Sequence, residues 1–256
     1  MRIASFNVNS VRARMPRLLE WLAEDQPDVV ALQEVKVEDD KFPLDELRAL
    51  GYTVATHGQK MRHGVALLSR QPMTEVHAGY IDGWPSDCRV IRADIQGVRI
   101  VNTYVPNGTE VGTEKWDYKL RWLDEFPTYL SSVGSPTDPI VWLGDINVAP
   151  ADIDVYDHKR LLGQVGHHPE EFARLAKIVD WGFQEQLKRF HPEEDVFTFW
   201  DYRIPKSYER NLGWRIDHVY LTQPLIARAR DCFVASVTRS REKASDHTPV
   251  VFDLDD

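Results

Sequence analysis

Apolar and polar positions fall into two rhythms along the chain. Short apolar runs rich in β-branched residues and bounded by turn formers recur at RIASFNVN (2–9), DVVALQEV (28–35), YTVATHG (52–58), GVALLSR (64–70), RVIRADI (89–95), VRIVNTYV (98–105), PIVWLGDIN (139–147), WRIDHVYL (214–221) and PVVFDL (249–254). Each has the length and composition of a strand. Between some of them the apolar residues return at three- and four-residue intervals. Leu18, Leu19, Trp21 and Leu22 do so within 11–24, Trp122, Leu123, Phe126 and Leu130 within 115–133, and Phe172, Leu175, Ile178, Val179 and Trp181 within 170–182. That spacing gathers them on one side of a helix. The order of elements is not strictly βαβ, and hairpin-like pairs such as 89–105 call for antiparallel neighbours. The pattern predicts an α/β sandwich, with mixed sheets inside and helices outside. No Gly/Ser/Pro linker or low-complexity tract divides the chain, so residues 1–256 are expected to form one domain.

Several strands end in polar residues. IVWLG is apolar, as a strand buried on both faces would be, yet it runs into Asp145 and Asn147. If the extended conformation persists past Gly144, period two points Asp145 and Asn147 the same way, an acid and an amide at the strand's carboxyl end. A turn is the plainer alternative. The same happens elsewhere: VVAL meets Gln33 and Glu34, SFNVNS carries Asn7 and Asn9, WRIDHVYL holds Asp217, and Asp246 and His247 precede the last run. One such residue is ordinarily a cap. Converging buried carboxylates, however, require a cation or a shared proton.

Composition narrows the class. The chain of 256 residues is 43% hydrophobic and 11% aromatic, enough for a sizeable core. No apolar run reaches membrane-span length and the amino terminus lacks a secretory pattern, so a cytoplasmic protein that does not enter membranes is expected. Cys88 and Cys232 lie in no CxxC spacing and read as free thiols. A net charge of -9 argues against nucleic acid, but only weakly. A divalent-cation site gathers carboxylates, and a DNA face needs only a local surplus of Lys and Arg, such as Arg12 and Arg14, Lys60 with Arg62, Arg203 through Arg215, and RSREK at 239–243.

Oxygen donors without Cys or paired His at metal spacing favour Mg²⁺, with Mn²⁺ as a substitute, over zinc. Such a site, with a free Asp, an Asn, a Tyr and an Asp-positioned His, suits displacement at phosphorus. No Ser, Cys or P-loop lysine stands in a nucleophile or phosphate-loop motif, which favours attack by water.

SFNVNSVRAR, DVVALQEVK, HGQK, HGVALLSR, NTYVPNG, WLGDINVAP, FTFWDYR, GWRIDHVYL and SDHTPVV, in this order, resemble the exonuclease III family of DNA repair nucleases, which includes the apurinic/apyrimidinic endonucleases. The resemblance covers essentially the whole chain. GDxN and SDH alone indicate the wider DNase I-like superfamily, whereas HGVALLSR, FTFWDYR and GWRIDH point to its nuclease branch. It implies a four-layer α/β sandwich, two mixed sheets face to face with helices outside. It also implies Mg²⁺-dependent hydrolysis of duplex DNA at abasic sites and 3′ ends by a monomer. By this resemblance Glu34 binds the metal, with Asn7 nearby and Asp246 as a further member. Asp145 orients and deprotonates the attacking water and Asn147 helps hold it. Asp217 hydrogen-bonds His247 and directs its ring at the phosphate. Tyr104 meets the phosphate or the leaving oxygen, and Phe199, Trp214 and Ile216 line the pocket for a sugar lacking its base.

Two alternatives stay open: a superfamily phosphatase acting on lipid or inositol phosphates, and a catalytically silent nucleic-acid-binding regulator. Arg203 and Arg215 are the DNA-contact candidates, together with His167 and His168 in GHHPEEF, before a helix starting at Pro169-Glu170-Glu171. Two imidazoles there could obstruct a continuing strand and favour 3′-end trimming over internal incision. Otherwise both rings are loop residues facing solvent.

Overall fold

The computed structural model describes residues 1–81, 84, 85 and 87–255. In chain order the elements are β1 (Arg2–Asn7), α1 (Val11–Asp25), β2 (Val29–Gln33), α2 (Leu44–Ala49), β3 (Thr53–His57), β4 (Val65–Ser69), β5 (Thr74–Ala78), β6 (Val90–Ile95), β7 (Val98–Tyr104), α3 (Glu114–Val133), β8 (Ile140–Asp145), α4 (His158–Leu161), α5 (Pro169–Asp180), β9 (Phe183–Glu185), α6 (Gln186–Phe190), β10 (Asp217–Thr222), α7 (Gln223–Ile226), β11 (Ala229–Val234) and β12 (Val250–Leu254).

The strands form two six-stranded sheets, ordered β11-β12-β1-β2-β4-β3 and β5-β6-β7-β8-β10-β9. Both are mixed, since β1–β2 and β7–β8 are parallel and their other neighbours antiparallel. The 89–105 hairpin is present as the antiparallel β6–β7 pair. Alternate side chains sort to the two faces of each strand. Ile3, Val29 and Leu67 of one sheet meet Ile100, Leu143 and Val219 of the other in the central core. The opposite faces take the helices. Leu18, Trp21 and Leu22 of α1 pack on Phe6, Val30 and Leu32, while Trp122 and Phe126 of α3 and Ile178 of α5 pack on Val101 and Trp142. Two sheets each covered by helices make four layers, as expected.

Nine of these strands lie within the apolar runs. The runs do not reveal β5, which is exposed throughout, the three-residue β9, or β11 with its exposed Arg230 and Asp231. Cys88 and Cys232 are buried free thiols.

One register governs the site. Asp145, last in β8, pairs with Tyr104 on β7 and with Asp217 on β10, so three polar side chains end adjacent strands in one row. Gly144 makes this possible: its φ is +141°, and a Cβ there would fall 1.9 Å from the Thr103 carbonyl oxygen. The extended conformation does not persist to Asn147, which has φ +55°. Asp145 and Asn147 converge because the chain turns, and the strand alternation considered above is corrected accordingly.

Candidate active site

At this end of the sandwich a cleft of about 1070 Å³ is lined by Glu34, Tyr104, Asp145, Asn147, Phe199, Trp214, Ile216, Asp246 and His247, among others. Asn7, at the end of β1, sits beneath its floor and is fully buried. The Asn7 amide nitrogen donates to Glu34 Oε1 (2.9 Å) and to Asp145 Oδ2 (2.8 Å), and its oxygen accepts from the Asn9 N–H (3.0 Å). It thus holds two carboxylates together.

Asp217 Oδ2 lies 2.8 Å from His247 Nδ1, and His247 Nε2 lies 3.8 Å from Asp145 Oδ2. Burial alone works against a charged imidazole, but Asp217 and Asp145 outweigh it and push His247 up to about 10. At neutral pH it is an imidazolium, its ring packed against Phe199 with centroids 4.8 Å apart. Asp145 moves up as well, to about 7, chiefly through burial, opposed by His247 and assisted by Asp217 and Glu34. Glu34 differs: burial works upward, yet Lys36 Nζ at 2.7 Å and the Asn7 amide hold it below the usual carboxylate range. Tyr104, beside Glu34 and Asp145, is raised well above 10 by burial and keeps its proton as a donor.

Glu34, Asp145 and His247 each offer one ligand atom, all within 4.8 Å of one another, and this group can hold a metal ion. A charged imidazole has no lone pair to give, so the carboxylates remain as donors, and an oxygen set suits a hard cation. Asp246, half-buried at the cleft wall, accepts from Asn9 Nδ2 at 3.0 Å.

Other expected contacts are rearranged. The Asn147 N–H donates to Asp145 Oδ1 (3.0 Å), its amide nitrogen to the Val105 carbonyl (3.0 Å), and its Oδ1 accepts from Asn107 (3.0 Å). Arg215 is not a surface cation: it is 1% exposed and its Nε donates to Asp154 Oδ1 at 2.6 Å, so it cannot reach DNA. Arg203 is exposed, with its guanidinium 2.7 Å from Asp201. His167 is fully buried beneath the cleft wall and cannot stand in a strand's path, nor does it face solvent. His168 is half-buried and caps α5, Nδ1 accepting from the Glu170 N–H at 3.1 Å. The expected pair of obstructing rings is corrected: His167 turns inward and His168 caps a helix, so the two do not stand together in a strand's path.

Sequence reasoning singled out Asn9 without giving it a role and left out Lys36 and Asn107; all three line the cleft beside the assigned residues. Each had a signal, because Asn9 repeats Asn7 at period two, Lys36 follows Glu34 in LQEVK, and Asn107 stands in VPNG.

The sequence pattern of the Endonuclease/Exonuclease/phosphatase family matches residues 4–247. Exodeoxyribonuclease III of Haemophilus influenzae is 35% identical over 263 residues, 98% of each chain. The solved structure of an AP endonuclease from Archaeoglobus fulgidus is 40% identical, covers all of both chains and superposes with a TM-score of 0.96. The 3′ phosphatase NExo from Neisseria, solved with a product DNA hairpin, is 35% identical over 100% of this chain and 99% of that one, with a TM-score of 0.95.

Proposed function

The chain belongs to the endonuclease/exonuclease/phosphatase family, as a hydrolase of its DNA repair nuclease branch, and from that premise we propose that it cleaves phosphate esters of duplex DNA at abasic sites and 3′ ends. The observation that carries the reading is the arrangement around Asp145: a buried carboxylate tied to Glu34 through the Asn7 amide and 3.8 Å from a His247 that Asp217 holds at 2.8 Å. Burial raises the Asp145 carboxyl, which suits it to act as a general base. Asp145 takes the proton of the attacking water while Asn147 orients it. The attack breaks the bond from phosphorus to the leaving oxygen, whose charge the O–H of Tyr104 meets. His247, held by Asp217, offsets charge on a non-bridging oxygen.

Glu34, with Asp145 and Asp246 near it, would hold Mg²⁺. Bound there, the cation neutralises phosphate charge as a Lewis acid. Asn7 supports this set by orienting Glu34 and Asp145 through its amide nitrogen. Phe199, Trp214 and Ile216 form the apolar wall that receives a sugar without its base. Arg203, which lines the cleft, and the exposed cations Arg12, Lys60 and Arg62 are the candidates to meet the phosphate backbone. The site is complete within one chain, which supports a monomer, and a DNA substrate fits a cytoplasmic location. No described helix is long and apolar enough to cross a membrane.

The test compares duplexes bearing an internal abasic site, a nick with a 3′-phosphate, or a blunt 3′ end, each with Mg²⁺, Mn²⁺ or a chelator, alongside an inositol phosphate. Metal-dependent cleavage of the DNA substrates, absent in Asp145→Asn, is expected. Turnover of the inositol phosphate without DNA cleavage would overturn the assignment.

A further inference from the structure

After Asp145 the chain turns out of β8 through Asn147, Val148 and Ala149, and the carbonyls of these residues point inward. Each meets a different buried nitrogen. Lys119 Nζ on α3 donates to the Asn147 oxygen at 2.7 Å, His218 Nε2 on β10 to the Val148 oxygen at 2.8 Å, and His167 Nδ1 to the Ala149 oxygen at 2.6 Å. A carbonyl only accepts, so each of these nitrogens carries a hydrogen. The three residues are 0%, 1% and 0% exposed.

Lys119 and His167 are themselves held from behind, and His218 has an acid near its other ring nitrogen. Lys119 is ion-paired with Glu171, whose oxygens also accept from the Gly166 N–H (2.9 Å) and the His168 N–H (3.1 Å). Glu185 lies 3.6 Å from His218 Nδ1. His167 Nε2 lies 2.9 Å from His158 Nδ1, which is 3.1 Å from Asp152. Removing three polar side chains from water costs more than apolar residues of the same volume would, and replacing a buried ion pair by such residues is often neutral or stabilising. Stability alone is thus a poor account of three such arms on consecutive carbonyls. Asn147 adopts a left-handed backbone and uses its N–H to fix Asp145 Oδ1, so whatever holds its carbonyl also holds the base.

We infer that Lys119, His218 and His167 are positioning residues that clamp the turn after Asp145 and, through Asn147, hold the base and the attacking water in register with the phosphate. The inference rests on the nuclease reading for its kinetic consequence, while the geometry it assigns to the turn stands apart from any substrate. Three replacements keep volume and remove the donor: His167→Phe, His218→Phe, and the double variant Lys119→Met with Glu171→Gln, which leaves no buried charge unpaired. A misplacement of the order of 1 Å costs up to about 10² in rate. Each variant is therefore expected to lose about tenfold or more in kcat per folded molecule, with KM for DNA within about threefold. Glu171→Gln alone leaves the Lys119 cation buried without its counter-ion, so it is expected to lower the folded fraction and is not used to score the clamp. Amide hydrogen exchange at 146–149 is expected to quicken in all three. Exchange unchanged from the parent would overturn the clamp whether or not the parent cleaves DNA. If the parent does cleave DNA, kcat within twofold in the three variants, or a loss that merely follows the folded fraction, would also overturn it. A parent inactive on every DNA substrate would count against the nuclease reading, leaving exchange to decide the clamp.

Discussion

Asp145 and Asp217 face each other across β8 and β10, yet only Asp217 lies within hydrogen-bond distance of His247, at 2.8 Å. The row thereby divides into an anion that holds an imidazolium and a neighbour that burial drives toward protonation. Their pH dependence follows with opposite signs. Asp145 works as a base only when ionised, so kcat/KM should rise as pH passes about 7, and metal binding should move that limb downward. His247 works when charged, so activity should fall as pH passes about 10. Asp217→Asn removes the main upward influence on His247 and should shift the falling limb to lower pH. An alkaline limb unmoved by that substitution would dissociate His247 from the profile.

The same pair bears on stability. The His247 value is raised from 6.5 to about 10 on folding. The contribution is full below about pH 6.5 and is lost as pH rises through about 10. Parent and Asp217→Asn should therefore differ most in thermal midpoint below about pH 6.5 and converge above about pH 10. A difference that grows with pH would have the wrong sign.

Asp145→Asn keeps shape and hydrogen-bonding reach but removes the base. Turnover should drop by about 10²–10⁴-fold. DNA affinity should hold or improve, since the substitution removes a negative charge from the cleft. Affinity measured on a cleavage-resistant duplex checks this, and equal losses in binding and rate would make Asp145 a structural residue.

How much of this could be read from the chain depended on the kind of information involved. Residues 2–9 and 139–147 announce themselves because local apolarity and a polar end are both visible in sequence, and motif resemblance supplied their partners. The exposed β5 carries no alternation of burial, so its strand pairing comes only from β6. Arg215 and Asp154 are far apart in sequence, and nothing local says that this arginine turns inward while Arg203 stays outside. His218 was read as part of a motif and His167 as loop surface, whereas both meet a carbonyl that only the fold brings to them.

Asn7 gives its amide nitrogen to Glu34 and Asp145, so its effect on a metal passes through those carboxylates. Groups that orient metal ligands typically cost about 10–100-fold in affinity or activity when removed. Asn7→Ala should raise the Mg²⁺ concentration for half-maximal activity by about that factor, and Glu34→Gln by at least as much. Mn²⁺ binding followed by electron paramagnetic resonance provides a measurement independent of turnover. Normal Mn²⁺ affinity in Glu34→Gln would remove Glu34 from the metal site.

Arg203 and Arg215 separate a DNA contact from a structural cation. The Arg203 side chain is 88% exposed, and a contact to the phosphate backbone carries no base information. Arg203→Ala should weaken binding to all duplex sequences about equally and make the slope of log K against log salt shallower by about one phosphate contact. Arg215→Met leaves the Asp154 carboxylate buried without its counter-ion, a change that costs about 3–5 kcal/mol in such pairs. Its thermal midpoint should fall sharply, whereas the salt slope of the molecules that remain folded should match the parent. The overall charge of -9 does not oppose this, because screening confines each phosphate contact to its local cations. A shallower salt slope in Arg215→Met with an unchanged midpoint would reverse the assignment and return Arg215 to the DNA face.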